Sequence, residues 1–388
     1  MKLNKTAERK FAGLTLAFVL LAAVFLFLSF SNADVRSTQD YSIAEIQCRW
    51  RNVDRIIVIG DLHGAYENFV KILKQTDLID EQLQWIGGKS HLVQIGDILD
   101  RGDRARDIFD LLIKLEESAK NAGGFVHVLI GNHEEMNLTD TAFDFEEYIT
   151  PNQFISFLSD RYIKKQERVF RRLERSKRKG SLPVELDFTQ YWTQVIEKGK
   201  KNKYHVGRRS YFRNLNRTYG RWILNHNVVV KINDVIFVHA GITEPYSKMS
   251  LEDINKIYRL ELDDVRSAVL SGHMPSTPVY KMNFYNNPNG PLWTRDFVKN
   301  NPESFEDDVG RILINLGANH MIIGHSPVFS FAKNKMSLYD GKIWAVDTGI
   351  SDYYLRRGGF VGALVYEKGK FSIWADESLS STQIKKKT

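Results

Sequence analysis

The chain has 388 residues, of which 43% are hydrophobic and 26% charged, and its formal net charge at pH 7 is +7. This length is enough for one large domain or two, and the composition excludes a largely disordered chain. A single cysteine, Cys48, excludes both an intrachain disulfide and a thiolate zinc finger, and we expect any metal site to use histidine, aspartate, asparagine or glutamate.

The first 33 residues differ from the rest of the chain. Four basic residues lie among the first ten, and Phe11–Phe30 then contains no charged residue. About 20 apolar residues are enough to span a membrane, and basic charge before them predicts that the N-terminus stays inside. We therefore predict a signal anchor or a signal peptide that is cleaved after Ala33. The body of the chain is then exported to the periplasm, a lumen or the outside, and an anchor would hold it to the membrane.

Strands and helices alternate after a polar stretch at residues 34–52, which we predict to be a linker. The first elements are predicted at Arg55–Gly60 (strand), Tyr66–Thr76 (helix), His91–Gly96 (strand), Ala105–Lys120 (helix) and Phe125–Ile130 (strand). Later strands are predicted at Asn227–Lys231, Val235–His239, His320–Ile323, Ile343–Val346, Gly362–Glu367 and Phe371–Trp374. This order of apolar strands predicts an α/β domain over residues 53–377, with helices packed on a buried sheet. Residues 378–388 are predicted to be a flexible tail.

Residues 151–222 interrupt the alternation and are predicted to form an inserted α-helical cap. From residue 161 to residue 221 there are 19 basic and 5 acidic residues, a net of +14. Because the whole chain carries +7, the rest of it carries −7. This charge indicates either a solvated helical face or a positive lid that faces an anionic partner. That partner would be a phosphorylated protein, a membrane headgroup layer or, with least support, a nucleic acid.

Five short motifs repeat one construction, in which an apolar strand runs into a turn of metal-ligand residues. They are RIIVIGDLHG at Arg55–Gly64, HLVQIGDILDRGD at His91–Asp103, FVHVLIGNHEE at Phe125–Glu135, VIFVHAG at Val235–Gly241 and HMIIGHSP at His320–Pro327. Hard and borderline divalent metals prefer such oxygen and imidazole ligands, and strand ends hold them rigidly. Five motifs of this kind predict a metal site.

The candidate ligands suit a pair of divalent ions. Asp61 and His63 are separated by one residue at a strand end, so both can face one crevice. Asp97 follows the neighbouring strand, and its two oxygens can bridge two cations. The other candidate ligands are Asn132, His239 and His325. Two metals about 3.5–4 Å apart activate water and hold the oxygens of a transferring phosphoryl group.

The five motifs resemble the pattern of the calcineurin-like metallophosphoesterases, in their phosphoprotein phosphatase branch. GDLHG, GDILDRG, GNHE, HAG and GH stand where that family has GDxHG, GDxxDRG, GNHE, a histidine before Ala-Gly or Gly-Gly, and GH. The resemblance implies a four-layer αββα sandwich that holds two divalent metal ions, for which manganese or iron with zinc fit equally. It also implies the metal ligands: Asp61 and His63 for the first metal, Asp97 bridging, and Asn132, His239 and His325 for the second.

The resemblance further implies the residues that handle the phosphate. His133 would be the general acid, with Asp100 orienting or charging it. Arg101 would clamp the phosphate through its bidentate fork, and Asn132 would also contact it. The segments TYGRWI, VIFVHAGI and GPLWTRD resemble the Shewanella-like protein phosphatases, and within the last of them Arg295 is our candidate for a second phosphate-binding arginine.

Together these implications predict a dinuclear-metal phosphatase that hydrolyses phosphate monoesters, with a phosphoprotein as substrate. HAG in place of HGG leaves phosphotyrosine open beside phosphoserine and phosphothreonine. One alternative is a dinucleoside tetraphosphate hydrolase, which shares the motif set. Another is a non-catalytic membrane protein that binds phosphorylated partners, although the presence of His133, Asp100 and Arg101 argues against it.

Other polar residues are assigned to supporting roles. Glu134 and Glu135 are expected to stabilise the N-terminus of the helix after Asn132, where anions are favoured. Asp347, at another strand end, is expected to hydrogen-bond near the site without binding metal. The histidines outside the motif ends are expected to be structural: His91, His127, His205, His226, His273 and His320.

Overall fold

The computed structural model of the chain describes residues 46–178, 187–202, 205–329 and 336–376. The predicted N-terminal membrane segment and the predicted tail therefore lie outside the described residues. Within the described ranges, none of the helices combines the length and the apolar character needed to cross a membrane.

Two mixed β-sheets form the centre of the domain. The strands are β1 (Arg49–Trp50), β2 (Arg55–Ile59), β3 (His91–Gln94), β4 (Phe125–Val128), β5 (Val229–Ile232), β6 (Val235–Val238), β7 (His320–Ile323), β8 (Ser337–Leu338), β9 (Ile343–Ala345), β10 (Gly362–Glu367) and β11 (Lys370–Ala375). One sheet has six strands in the order β1-β5-β6-β7-β9-β8, and the other has five in the order β11-β10-β2-β3-β4. The predicted α/β architecture is confirmed in this two-sheet form.

Helices connect the strands and pack on the sheets. They are α1 (Tyr66–Gln75), α2 (Ala105–Asn121), α3 (Asn132–Leu138), α4 (Pro151–Ser156), α5 (Asp160–Arg178), α6 (Phe188–Lys201), α7 (Val206–Leu215), α8 (Arg221–Leu224), α9 (Glu244–Ser247), α10 (Leu251–Ser271), α11 (Asp296–Lys299), α12 (Pro302–Leu316) and α13 (Asp352–Leu355). Helix α2 packs against β4 of the five-stranded sheet, and α10 packs against β5 of the six-stranded sheet.

The parallel strands β2, β3 and β4 bring the first three motifs side by side. Ile57 pairs with Leu92, which pairs in turn with Val126, so the three strands are in register. These side chains are at most 2% exposed. Burial on both faces explains why the strands are continuous apolar runs rather than alternating ones. Three motif turns therefore meet at one edge of the sheet.

The strand β1 lies inside the predicted linker at residues 34–52. Arg49 and Trp50 pair in parallel with Lys231 and Ile232 of β5. The Trp50 ring also lies 4.3 Å from the ring of His127. The linker prediction therefore does not hold for these two residues, because a two-residue strand is too short to show an alternating pattern.

Residues 151–222 contain the helices α4 to α7 and the first two residues of α8, and aromatic packing joins them to the domain. The ring of Tyr211 on α7 stacks on Phe154 of α4 at 5.5 Å, and Phe157 lies 6.3 Å from Phe109 of α2. Tyr211 and Phe154 are both fully buried. The insert is therefore anchored through its apolar side, which leaves its charged side facing solvent.

Helix α5 carries a row of exposed basic side chains that we call the cationic stripe. Its members follow the i, i+3, i+4, i+7 spacing of a single helical face. They are Arg161, Lys164, Lys165, Arg168, Arg171, Arg172 and Arg175. The ion pairs found within the described part of the insert instead use Lys201 and Arg208.

Candidate active site

The predicted ligands meet where the carboxyl ends of strands from both sheets face each other. Asp61, Asp97 and Asn132 follow β2, β3 and β4, and His239 and His325 follow β6 and β7. All five side chains are buried, with at most 6% exposure. Open α/β sheets bind ligands at this end of the strands.

One group of donor atoms combines two ligands predicted for the first metal, His63 and Asp97, with His133. The Nδ1–H of His63 donates to the Leu99 carbonyl over 2.9 Å, so the lone pair is on Nε2, which lies 3.9 Å from Asp97 Oδ2. His133 Nε2 lies 3.8 Å from the same Asp97 oxygen. The ligating atoms of His63, Asp97 and His133 all lie within 4.8 Å of one another. Asp61 accepts the backbone N–H of His325 over 3.0 Å.

A second group surrounds Asn132. Its Oδ1 lies 2.9 Å from His239 Nε2 and 2.9 Å from His325 Nδ1. Asp97 Oδ1 lies 3.4 Å from His239 Nε2. His239 Nδ1 donates to the Ile95 carbonyl over 2.9 Å, so the lone pair of Nε2 faces other acceptors. Several acceptors converging on one point, together with the buried and unpartnered Nε2 of His325, fit a bound cation.

Burial keeps the ligand imidazoles neutral. It lowers the pKa of His63 and of His325 well below the usual histidine value, and it lowers the pKa of His239. Neutral imidazole is the form that binds metal.

The site buries two acidic side chains close together, Asp61 and Asp97. Burial raises the pKa of Asp61 well above its usual range, and the nearby carboxylates of Asp347 and Asp97 raise it further. Burial also acts to raise the pKa of Asp97, but the imidazoles of His239 and His133 outweigh it and hold that pKa below its usual range. An excess of buried acids of this kind fits a cation, which would neutralise them.

In the motif turns, several non-glycine residues adopt the left-handed backbone conformation. The φ angles are 43° at His63, 56° at Asp97, 71° at Asp100, 63° at Arg101 and 62° at His325. Each such non-glycine residue costs about 1–3 kcal/mol and persists only where the surroundings enforce it. Conformational strain is therefore concentrated at the ligands and catalytic candidates.

Glu134 enforces the turn after β3. Its carboxylate accepts the backbone N–H groups of Asp97 and Ile98, each over 2.8 Å, and that of Leu99 over 3.2 Å. It also accepts the N–H of Gly131 over 2.9 Å at the start of α3. Glu134 thus holds the N-terminus of α3, as expected, and also the turn that carries Asp97.

Two motif glycines are required by close approach. A Cβ on Gly131 would lie 2.3 Å from Asp97 Oδ1, and one on Gly324 would lie 2.4 Å from Asp61 Oδ1. Any side chain at these positions would displace a candidate ligand. Packing around the carboxylates therefore explains the glycine in GNHE and the glycine in GH.

His133 and Asp100 form a buried acid pair beside the first metal group. His133 Nδ1 donates to Asp100 Oδ2 over 2.6 Å. On the other side of the ring, Arg101 Nη1 lies 3.1 Å from His133 Nε2 and 2.7 Å from His63 Nε2. Arg101 therefore reaches into the space between the two imidazoles.

Arg295 lies beside the second metal group. Its Nη1 donates to the His325 carbonyl over 3.1 Å and to Ser326 Oγ over 3.0 Å. The second predicted phosphate-binding arginine is thus close to the site, next to the predicted ligand His325.

Arg101 is surrounded by an aromatic rim of Tyr148, Tyr353 and Tyr354, none of which was among the predicted site residues. The guanidinium carbon lies 4.9 Å from the ring centre of Tyr148, 5.7 Å from that of Tyr353 and 5.2 Å from that of Tyr354. The exposed ring of Phe145 stacks on Tyr148 at 4.5 Å. The only local signal was that Tyr353 and Tyr354 closely follow AVDTG, another strand that ends in an acid.

Comparison with known proteins agrees with this geometry. A model of the calcineurin-like phosphoesterase family matches residues 54–329. Shewanella-like protein phosphatase 1 of Plasmodium berghei is 26% identical over 307 residues, which cover 76% of this chain and 67% of the relative. Shewanella-like protein phosphatase 2 of Arabidopsis thaliana is 29% identical over 239 residues, which cover 60% of this chain and 58% of the relative.

The fold is also found among solved structures. The cold-active protein-tyrosine phosphatase of a psychrophilic Shewanella species superposes with a TM-score of 0.57 at 23% identity, covering 85% of this chain and 83% of that one. Members of the matched family normally use divalent metals, and the described residues provide two groups able to hold them. Because the family match extends from β2 to beyond the last motif, more than half of the chain, this protein belongs to the calcineurin-like phosphoesterases.

Proposed function

We propose that the chain is a dinuclear-metal phosphatase that hydrolyses phosphate monoesters of proteins, phosphotyrosine above all. The observation that carries this proposal is the 2.6 Å hydrogen bond from His133 Nδ1 to Asp100 Oδ2. It leaves His133 Nε2 turned towards Arg101 and Asp97. A protein that only stored metal would need no proton donor at this position, whereas a phosphatase needs one for the leaving oxygen.

The residues around the site fit two divalent ions. The first would be held by Asp61, His63 and Asp97, and the second by Asp97, Asn132, His239 and His325. Bound ions of this kind polarise phosphoryl oxygens and activate water. Manganese, or iron with zinc, suits this mixture of carboxylate, amide and imidazole ligands.

The chain's own residues bind the phosphate and move the proton. The guanidinium of Arg101 offers paired N–H donors to two phosphate oxygens, and Arg295 and the Asn132 amide would also contact the phosphate. As a water oxygen bonds to phosphorus and the bond between phosphorus and the ester oxygen breaks, His133 Nε2 gives its proton to the leaving ester oxygen. Asp100 stabilises the charged imidazole before transfer, since its carboxylate holds Nδ1–H.

The aromatic rim supports phosphotyrosine. An aryl phosphate whose phosphate lies against Arg101 would place its ring near Tyr148 and Tyr354, where offset stacking between rings is favourable. The exposed rings of Phe145 and Phe329 extend the same surface outwards. A serine or threonine ester has no ring to use these contacts.

The cationic stripe supports a protein substrate with acidic residues. Its seven basic side chains lie along one exposed face of α5. A surface of one sign raises the rate at which oppositely charged partners associate. The relatives in Plasmodium and Arabidopsis are likewise named as protein phosphatases.

A dinucleoside tetraphosphate hydrolase is the second candidate. The same basic insert would attract a polyphosphate, and a nucleobase could stack on the aromatic rim. A non-catalytic protein that binds phosphorylated partners is the third candidate, with the least support.

The test is phosphate release by the full chain, loaded in turn with manganese and with iron and zinc. The substrates are one peptide carrying phosphotyrosine, the same peptide with phosphoserine or phosphothreonine, and diadenosine tetraphosphate. We expect the highest kcat/KM for the phosphotyrosine peptide. Faster cleavage of the tetraphosphate would favour the second candidate, and binding without release from any substrate would favour the third.

We also infer that the catalytic domain is exported and held at a membrane by the N-terminal segment. The uncharged stretch Phe11–Phe30 after basic residues supports this inference. The test is treatment of intact and permeabilised membrane vesicles with protease. Cleavage of the catalytic domain in intact vesicles whose cytoplasmic side faces outward would contradict it.

A further inference from the structure

A closed ring of hydrogen bonds surrounds the oxygens of Asp100. Gln153 Nε2 donates to Asp100 Oδ1 over 2.9 Å and to the Tyr211 hydroxyl over 2.9 Å. That hydroxyl donates to Asn137 Oδ1 over 2.7 Å, and Asn137 Nδ2 donates to Asp100 Oδ2 over 2.9 Å. All four residues are at most 1% exposed.

Every donor hydrogen of the ring has an acceptor. The second hydrogen of Asn137 Nδ2 goes to the His133 carbonyl over 2.9 Å. Gln153 Oε1 accepts the backbone N–H of Asp100 over 2.7 Å. A fully satisfied buried network is rigid, and the loss of one member leaves a costly unpaired group. The ring therefore restricts both oxygens and the backbone of Asp100.

Two members of the ring belong to the insert. Gln153 lies on α4 and Tyr211 on α7, whereas Asp100 and Asn137 belong to the motif turn and to α3. The segment just before Gln153 makes further contacts with the same turn. Arg101 N donates to the Tyr148 carbonyl over 2.6 Å, and Thr150 Oγ1 donates to the Gly102 carbonyl over 3.1 Å.

We propose that Gln153 and Tyr211 are positioning residues for the acid pair, so that proton donation by His133 depends on the insert being seated on the domain. This inference rests on the proposed function in one respect, namely that His133 is the acid. Asp100 can hold the charged His133 imidazole only in the orientation that the ring enforces. The basic insert thus acts on the chemistry through Gln153 and Tyr211, in addition to any part that it has in substrate binding.

The test compares two single hydroxyl deletions in the insert. Tyr211→Phe removes the ring's hydroxyl and keeps the aromatic stack on Phe154. Tyr191→Phe is the matched control, because Tyr191 is also a buried tyrosine of the insert and its hydroxyl bonds to Gln166, away from the acid pair. Gln153→Met is a second variant of nearly the same shape, which loses both contacts to Asp100. Thermal melting establishes that each variant is folded.

The first readout is kcat for phosphotyrosine and for 4-nitrophenyl phosphate, whose more acidic phenol leaves with less help from an acid. We expect Tyr211→Phe to lower kcat for phosphotyrosine about 10-fold and Gln153→Met to lower it further, with KM nearly unchanged. The rate for 4-nitrophenyl phosphate should change much less. Tyr191→Phe should match the parent for both substrates.

The second readout does not depend on activity. In the zinc-loaded protein labelled with ¹⁵N-histidine, the proton on His133 Nδ1 should give a downfield resonance that exchanges slowly. Tyr211→Phe should move this resonance upfield and speed its exchange, and Tyr191→Phe should not. If the parent cleaves no phosphate ester, the proposed function fails, and this resonance alone decides the positioning role.

Two results would overturn the proposal. One is a Tyr211→Phe variant that behaves as Tyr191→Phe does in both readouts, even if its melting temperature falls. The other is an equal loss of kcat for both substrates with an unchanged Nδ1 resonance, since that would indicate general distortion of the site.

Discussion

Arg101 Nη1 lies 2.7 Å from Nε2 of His63, and the Tyr148 carbonyl fixes the backbone N–H of Arg101 over 2.6 Å. The guanidinium is thus held against a predicted metal ligand while it faces the rings of the aromatic rim. Phosphate binding, metal binding and contact with the substrate ring would all occur within one side chain's length of Arg101.

Arg101→Lys should weaken phosphate binding because an ammonium keeps the charge and loses the bidentate fork. We expect kcat/KM for a phosphotyrosine peptide to fall about 10- to 100-fold, as measured by steady-state kinetics. Arg104→Lys is the matched control, since Arg104 is exposed and pairs with Glu67 and Asp107. Equal behaviour of the two variants would exclude Arg101 as the phosphate clamp.

His133→Asn should show the signature of a lost general acid. We expect kcat for phosphotyrosine to fall about 10²- to 10⁴-fold. The loss for 4-nitrophenyl phosphate should be much smaller, because its leaving phenolate needs less protonation. His273→Asn, at an exposed histidine, serves as the control. Equal losses for both substrates would argue against the acid role.

Asp97→Asn should remove metal from both sites because Asp97 lies in both ligand groups. We expect the metal content of the purified protein, measured by atomic emission, to fall by more than half, and hydrolysis of 4-nitrophenyl phosphate to fall at least about 10³-fold. Asp54→Asn, at an exposed acid, should leave both unchanged. A variant at position 97 as active as the parent would refute the metal mechanism.

Charge reversal of the cationic stripe should affect peptides and spare small substrates. With Arg168, Arg171 and Arg172 changed to glutamate, we expect kcat/KM for an acidic phosphotyrosine peptide to fall about 10-fold and to lose its dependence on salt. The rate for 4-nitrophenyl phosphate should not change. The control reverses three exposed lysines outside the insert: Lys89, Lys114 and Lys120. If kcat/KM for the acidic peptide falls by the same factor in both triple variants, the net charge of the protein rather than the cationic stripe attracts the peptide.

The buried pair of His91 and His127 should make the fold sensitive to acid. His127 Nε2 lies 2.9 Å from His91 Nδ1, and burial lowers the pKa of His91 to about 4 and that of His127 well below its usual value. Below pH about 6.5 the unfolded chain binds protons at these imidazoles and the folded chain does not. The free energy of unfolding therefore decreases as the pH is lowered.

His91→Gln should reduce that loss. Between pH 7 and pH 5 the free energy of unfolding should fall by up to about 2 kcal/mol less in the variant than in the parent, as measured by urea unfolding. His273→Gln should keep the parent's pH dependence, because His273 is exposed. If the free energy of unfolding changed with pH equally in the parent and in His91→Gln, the conclusion that His91 is buried in its neutral form would be wrong.

Local patterns identified most of the strands and all of the candidate ligands. The predicted strand His320–Ile323 matches β7, and Gly362–Glu367 matches β10. Such strands are visible in sequence because burial on both faces demands a continuous apolar run. The long helices α10 and α12 were not predicted, because they lie between the motif strands and carry none of the ligand motifs.

The acid ring shows where local patterns fail. Gln153 is 53 residues from Asp100, and Tyr211 is 58 residues from Gln153. Neither residue lies in a motif, and each reads as an ordinary residue of a basic helical insert. The aromatic rim could not be predicted from local patterns for the same reason, since Tyr148 and Tyr354 come from segments far apart in the chain.

The amino-acid sequence by itself determined the set of candidate ligands, their order and their attachment to strand ends, because a polar residue that directly follows a buried strand is a local pattern. Only the tertiary structure decided what surrounds that set. Pairing β2, β3 and β4 in register, and facing them with β6 and β7, brought the ligand turns to one point. Packing the insert against α2 and α3 then placed Gln153 and Tyr211 on Asp100, a contact between distant segments that no local pattern encodes.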